Sequence, residues 1–238
     1  MRIKLIVVGV IILFFLTGCV SGVFHVTVNK DGSGELNYRL AIDSDLLSTF
    51  NDKNNPLEKF REIAQKDGFI VSNFKDNGYF GVEAKKHVNK ISEGIGGELI
   101  TYISSVNSSK DHLNFIVDKG FFFNIYTIET NVDLTSFAKG NNALFQMFLD
   151  KMDLRILLTL PFDVEGHNAS RVIDGETDDI KTFEWDLLPG QNNEIYLQAK
   201  VLNVLNVVTL VLLAVGLIVF VTVFMAIKRR KSADVKED

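Results

Sequence analysis

The chain has 238 residues, 47% of them hydrophobic and 23% charged, which is enough for one ordinary domain besides membrane segments. Its single cysteine excludes an intrachain disulfide, so a folded domain must rely on its own apolar core. Residues 19–200 carry 18 Lys and Arg against 27 Asp and Glu, and this net charge of about −9 disfavours electrostatic binding of nucleic acid or of anionic lipid surfaces.

The N-terminus has the layout of a bacterial lipoprotein signal peptide. Arg2 and Lys4 precede an apolar run over residues 5–16, and Leu16-Thr17-Gly18 leads directly to Cys19. We therefore predict that residues 1–18 are removed and that Cys19 becomes the first residue of the mature chain, carrying acyl groups such as palmitate. The alternative is an N-terminal transmembrane anchor with an incidental thiol, but this apolar run is shorter than the ~20 residues that a spanning helix needs.

Two β-hairpins are predicted in the first half of the exported segment. Alternating apolar and polar residues predict strands over four stretches: 23–29, 35–42, 69–74 and 79–88. Glycines in the first turn and Asn77-Gly78 in the second supply the positive φ that tight hairpin turns need. Between the hairpins, Asp43 can cap a short helix that runs to Phe50, and Pro56 opens a longer helix that ends near Gly68.

The second half of the segment continues the mixture of strands and helices. Five further strands are predicted: 112–118, 121–132, 152–160, 181–187 and 194–200. Apolar residues on both faces of the second of these indicate a strand covered on both sides, and the last two are expected to pair with each other. Residues 137–149 predict a helix, and the glycine-rich stretch 91–105 gives no clear prediction. Residues 19–200 thus predict one α+β domain, an antiparallel sheet of hairpins with a few helices.

A transmembrane helix is predicted near the C-terminus. Residues 207–227 contain 21 residues without a charge, which as a helix reach about 31 Å and match a hydrocarbon core of about 30 Å. Four basic residues, 228–231, follow at once, and the positive-inside rule places them in the cytoplasm. We assign residues 201–227 to the membrane helix and 228–238 to a basic, then acidic cytoplasmic tail. Two anchors would hold the extracytoplasmic domain at the outer face of the bacterial cytoplasmic membrane.

The sequence contains no motif for a catalytic centre, a cofactor or a transition-metal site. The four histidines are scattered singly, and no His-Glu-x-x-His, Gly-x-Ser-x-Gly or phosphate-loop pattern occurs. One acidic cluster could bind calcium, although a solvated turn is the preferred interpretation: Asp174, Glu176, Asp178 and Asp179. We therefore predict no enzyme activity, no cofactor and no metal.

Phenylalanine is abundant, with 19 residues against 5 tyrosines and 1 tryptophan. These rings can fill a core or line an apolar cavity for acyl chains. For the cavity, the candidate lining residues are Phe121, Phe123 and Trp185. A cavity of this kind suits a domain that is held against a bilayer.

Several short segments resemble the LppM-type family of bacterial membrane lipoproteins. These are residues 26–34 after the lipidated cysteine, then Leu160-Pro161-Phe162, His167-Asn168-Ala169 and Phe183-Glu184-Trp185. The resemblance implies a lipid-anchored α+β domain that binds amphiphiles or envelope glycolipids without converting them. It transfers no set of functional residues. From their own chemistry, Asn168 and Trp185 suit structural roles, a turn and a buried ring with a bonded N–H.

Three functional hypotheses follow. The first is a non-enzymatic lipoprotein that binds a lipid, glycolipid or envelope partner at the membrane. The second is a scaffold or assembly subunit whose spanning helix docks with another membrane protein, and the third is an envelope hydrolase with an unrecognised site.

Overall fold

The structure is a computed structural model that describes residues 18–50, 55–91, 114–135, 151–175, 177 and 179–234. These residues form eleven strands: β1 (Val20–Val28), β2 (Gly34–Asp43), β3 (Ile70–Asp76), β4 (Tyr79–Val88), β5 (Asn114–Lys119), β6 (Phe123–Asp133), β7 (Met152–Leu160), β8 (Asp163–His167), β9 (Arg171–Asp174), β10 (Lys181–Leu187) and β11 (Asn192–Leu202). They also form three helices: α1 (Ser44–Leu47), α2 (Pro56–Lys66) and α3 (Val204–Asp234).

The described strands form two sheets. Sheet A has the order β3-β4-β2-β1-β7-β10-β9, and sheet B has the order β5-β6-β11-β8. Strands β1 and β7 pair in parallel, with Val20 beside Met152 and Thr27 beside Thr159, whereas the other pairs are antiparallel. The prediction of a purely antiparallel sheet was therefore wrong for sheet A, which is mixed. Alternation along a strand reports which face is buried and carries no information about the direction of a neighbour that is distant in sequence.

Both predicted hairpins in the first half are confirmed, as β1–β2 and β3–β4. Asn77 and Gly78 take φ values of +45° and +87°, the left-handed pair that a two-residue hairpin turn requires. Both helix starts are confirmed as well. The Asp43 carboxylate accepts the Asp45 and Leu46 N–H groups, and the Asn55 side chain accepts the Leu57 N–H just before Pro56.

The predicted pairing of the last two strands was wrong. β10 lies in sheet A and β11 in sheet B, so the connection between them crosses from one sheet to the other. Each strand buries alternate apolar residues toward its counterpart, Phe183 and Trp185 in β10 and Ile195 and Leu197 in β11. The same alternation would suit a hairpin, which is why the sequence pattern did not separate the two arrangements.

Two strands were missed, and two predictions lie outside the described residues. β8 and β9 are only 5 and 4 residues long and rich in polar side chains, so their alternation gives little signal. The helix predicted over 137–149 and all but the first residue of the stretch 91–105 are not among the described residues.

Helix α2 and sheet B cover the same face of sheet A, side by side. Phe24 pairs across the sheet with Tyr38 on one side and Ile156 on the other, and Ile156 pairs with Trp185, so these side chains share a face. Phe24 and Tyr38 pack in a cluster with Phe60 of α2. Trp185 packs instead with residues of β11. The core is therefore continuous along sheet A but has two different covers.

The strand predicted over 121–132, with cover expected on both sides, is β6, and burial on its outer face varies along the strand. In β6, Thr127 is buried, but Phe123 is 43% exposed and Glu129 is exposed as well. Ile128 and Val132 pack toward sheet A, whereas Thr127 lies on the opposite face, so β6 is partly covered on both faces near the middle of the strand.

Helix α3 is long and apolar enough to cross a membrane. Its span Val204–Met225 has 22 residues with a mean hydropathy of 3.0, and none of it is buried by the rest of the protein. One residue, Asn203, separates α3 from β11, and the helix continues through the basic residues 228–231 to Asp234.

Candidate functional site

The two sheets fix where the chain enters and leaves the domain. The Leu188 N–H donates to the Asn193 side chain (2.7 Å), which places the end of β10 beside the start of β11. β11 then runs back along β10 in the facing sheet, so α3 begins beyond the end of the sandwich at which β10 starts with Lys181. We call this the helix end of the domain. Cys19 lies at the other end, because β1 starts beside Met152 whereas Lys181 pairs with Leu160 at the far end of β7.

A pocket of about 580 Å³ opens at the helix end, between the edge strands of the two sheets. β8 belongs to sheet B, and β9 and β10 belong to sheet A, so the pocket lies where the sandwich is open at one side. Its lining combines aromatic and aliphatic side chains with charged ones: Phe162, Asp163, Val164, His167, Val172, Asp179, Lys181 and Phe183.

Behind the pocket lies the aromatic core between the two sheets. Phe183 is only 2% exposed and meets the ring of His167 edge to face, with 5.0 Å between ring centroids. On the next core position of β10, Trp185 donates its Nε1–H to Asn168 Oδ1 (2.7 Å), and the same oxygen accepts the Tyr196 N–H (2.8 Å). Asn168 therefore ties the loop after β8 to both sheets behind the pocket.

The mouth of the pocket is polar and carries charges of both signs. Asp163, Asp179 and Lys181 are exposed there, and Asp179 lies 3.6 Å from the Lys30 ammonium. His167 Nδ1 accepts the Ala169 N–H (3.2 Å), so a neutral ring carries its proton on Nε2 and can donate a hydrogen bond. Carboxylates accept hydrogen bonds, while Lys181 and His167 donate them. Such a set can hold a polar head group while its apolar portion contacts Phe162, Val164 and Val172.

The structure does not bring the three predicted lining residues together. Trp185 is 3% exposed and belongs to the core between the sheets. Phe121 and Phe123, at 57% and 43% exposed, lie at the turn from β5 to β6 in sheet B. The structural role expected of Trp185 and Asn168 agrees with the hydrogen bond between them.

Sequence reasoning did not assign the pocket residues to a site. Two of them, Phe162 and Phe183, lie in the short segments Leu160-Pro161-Phe162 and Phe183-Glu184-Trp185, which stood out by resemblance. The sequence shows Phe162 just after the strand over 152–160 and Phe183 within the strand over 181–187. Nothing in the sequence indicates that β8 lies close to β10.

Cys19 is half-buried and held at the end of sheet A opposite to α3. Its N–H donates to the Lys151 carbonyl (3.0 Å), and its own carbonyl accepts the Asp43 N–H (2.9 Å). The Tyr79 hydroxyl donates to the Gly18 carbonyl. Partial burial, helped by the Asp43 carboxylate, raises the pKa of Tyr79 and keeps this donor protonated.

The residues that the structure describes contain no group of three His, Cys, Asp or Glu side chains placed to hold a metal ion. Asp174 and Asp179 of the acidic cluster are described, whereas residues 176 and 178 are not, so the calcium hypothesis is not tested.

The opposite, outer face of sheet A is polar and contains a buried carboxylate. Glu184 is 2% exposed and lies 3.2 Å from Arg171 and 3.8 Å from Arg155. Nearby, His25 Nε2 lies 2.8 Å from the Thr159 hydroxyl, and partial burial lowers the pKa of His25. These contacts join side chains of β1, β7, β10 and β9 across the outer face of sheet A.

Among the solved structures that are similar to this chain is the folded domain of LppM from Mycobacterium tuberculosis, determined by NMR. The two chains are 18% identical, the match covers 79% of this chain and 93% of that one, and the TM-score is 0.46. No protein-family model and no curated protein matches the sequence. This match agrees with the predicted resemblance to LppM-type proteins.

Proposed function

We propose that this chain is a membrane-anchored lipoprotein that binds the polar head group of an amphiphile, without converting it, at the outer face of the cytoplasmic membrane. The observation that carries the proposal is the position of the pocket. Asp163 pairs with Lys200, four residues before α3 begins, so the pocket lies roughly 13 Å along β11 from the start of the membrane-crossing helix.

The lining of the pocket favours a head group that is rich in hydroxyls or cationic. Sugar hydroxyls can donate to the carboxylates of Asp163 and Asp179 and accept from Lys181 or His167. Phe162, which is half-buried, and Val172, which is 39% exposed, offer apolar surface to a sugar face or to the start of an acyl chain. A glycolipid fits this combination best.

The two proposed anchors restrict how the domain lies. Cys19, as the proposed acylation site, adjoins β1 directly, and Asn203 alone separates β11 from α3, so neither anchor has a flexible linker. Seven residues of β1 separate the Cys19 end from the helix end, a distance of roughly 23 Å. Both anchors reach one bilayer only if the strands of sheet A run along the membrane surface. In this arrangement the tail after α3 is cytoplasmic.

The test is native mass spectrometry of the full chain, purified in mild detergent from membranes of its host. We expect a co-purifying amphiphile, recovered chemically unchanged. Asp163→Asn and Lys181→Ala should each lower the occupied fraction or the affinity roughly fivefold, which corresponds to about 1 kcal/mol per lost polar contact.

Lys85→Ala is the matched control, because Lys85 is an exposed lysine of sheet A that pairs with Glu83 and does not line the pocket. It should leave occupancy unchanged. A chain that emerges empty and gains no thermal stability from any lipid of its membrane would rule out the proposed function. If Lys85→Ala and Lys181→Ala lower the occupancy by the amphiphile equally, the pocket is not the binding site.

A further inference from the structure

Three consecutive phenylalanines form an exposed apolar surface at the turn between β5 and β6. Phe121, Phe122 and Phe123, which we call the aromatic tip, are 57%, 50% and 43% exposed. Phe121 and Phe122 meet edge to face with 4.9 Å between ring centroids, so the two rings form one patch. Burying apolar area of this kind is favourable, and three adjacent rings facing solvent indicate a surface that is covered in the working protein.

The aromatic tip is tied to the start of α3 by hydrogen bonds. The Asn203 N–H donates to the Phe122 carbonyl (2.7 Å), and the Asn206 side chain donates to the Phe121 carbonyl (3.1 Å). The Asn203 side chain also donates to the Gly120 carbonyl (3.3 Å). Because these bonds join the backbone of the turn to the first turn of the helix, the depth of the tip in a membrane follows from the position of α3.

The apolar surface continues from the tip onto the helix. Leu202, which pairs with Phe123, is 47% exposed, and Val204 and Leu205 are 61% and 78% exposed. The polar residues beside this surface are those of a membrane interface. The Lys200 ammonium lies 4.7 Å from the centre of the Phe123 ring and 2.9 Å from Glu165, on the side away from the helix.

We propose that the aromatic tip inserts into the outer leaflet of the membrane that α3 crosses, as a third point of attachment for the domain. The occupant is the bilayer itself, because the tip is continuous with a surface that hydrocarbon must cover and is held within the first turn of the spanning helix. Aromatic and leucine side chains at this depth are typical of interfacial anchors. The inference requires α3 to span the membrane, and it does not depend on the pocket or on acylation of Cys19.

The experiment places a tryptophan at the tip of the full chain and measures its quenching by brominated lipids. Phe121→Trp and Phe122→Trp are reconstituted in nanodiscs of phosphatidylcholine, with bromine either near the glycerol or near the end of the acyl chain. We expect both variants to lose at least half of the added fluorescence to the shallow bromine and clearly less to the deep one. The wild type gives the background, because its single tryptophan, Trp185, is buried in the core.

Ile70→Trp is the control, since Ile70 is an 80% exposed apolar residue on the edge strand β3, away from α3. It should show little quenching from either lipid. If the tip tryptophans are quenched no more than the one at position 70, the tip does not enter the bilayer and the proposal fails. All tip positions are exposed, so these variants should fold, which circular dichroism of each variant checks.

Discussion

At the scale of single residues, the exposed Asn168 bonds through its side chain to both sheets and to the buried indole of Trp185. Its side chain accepts from Trp185 and Tyr196 and donates to the Glu194 carbonyl (2.9 Å). Removing it leaves a buried indole N–H without this acceptor, and such a loss costs about 1–3 kcal/mol.

We therefore expect Asn168→Ala to lower the free energy of unfolding by that amount, measured by circular dichroism in detergent. Trp185→Phe removes the N–H and supplies the control. In the Trp185→Phe background, the effect of Asn168→Ala should shrink by about 1 kcal/mol. Fully additive effects would show that the hydrogen bond contributes nothing.

His25 predicts a dependence of stability on pH. Partial burial lowers its pKa in the folded chain below the ordinary value of 6.5, so the unfolded chain binds the proton more readily. This contribution to stability is present above about pH 6.5 and is lost as the pH falls toward the folded-state pKa. Thermal unfolding at pH 7.5 and pH 5.5 should therefore show a smaller decrease for His25→Gln than for the wild type. Identical decreases in the two proteins would contradict this assignment.

At the scale of elements, α2 is the cover of one half of sheet A. Its Phe60 is 1% exposed among residues of β1, β2 and β4, so Phe60→Ala leaves a cavity there. We expect a loss of about 3–5 kcal/mol in the free energy of unfolding, followed through Trp185 fluorescence. Phe80→Ala, at a ring that is 39% exposed, should cost about 1 kcal/mol. If Phe60→Ala and Phe80→Ala lower the free energy of unfolding by similar amounts, α2 contributes little to the core.

Elements were predictable where a local rule decided them. The Asn77-Gly78 turn, the Asp43 cap and Pro56 at a helix start each act within a few residues, and the structure has all three. The parallel pairing of β1 with β7 and the placing of β10 and β11 in different sheets depend on contacts between distant segments. Periodicity of two residues satisfies several such pairings equally well.

The same distinction, between local rules and contacts of distant segments, explains why the candidate site was not predicted. The sequence shows that the chain is rich in aromatic residues, but which of the rings lie close together depends on how the two sheets stack. The pocket arises because β8 and β10 are brought together at the open side of the sandwich, and the phenylalanines at positions 121 and 123 lie on a different turn.

At the scale of the whole molecule, the two ends of the folded domain are far apart. A spin label on Cys19 of the non-acylated chain and a second on Leu202→Cys should lie more than about 20 Å apart, because β1 spans that distance between them. The control pair in a Cys19→Ser background is Phe121→Cys with Leu202→Cys, which the hydrogen bonds of Asn203 and Asn206 hold close. The distances are measured by double electron–electron resonance. A distance below about 15 Å between the labels of the first pair would contradict the arrangement of the sheets.

The single residue between β11 and α3 has a mechanical consequence. A spanning helix tilts when its apolar length exceeds the thickness of the bilayer, and thickness changes with lipid composition. In the arrangement proposed above, such a tilt of α3 would turn sheet B with the helix and change the angle between the mouth of the pocket and the membrane surface. The proposed arrangement therefore makes the orientation of the domain depend on the thickness of the bilayer.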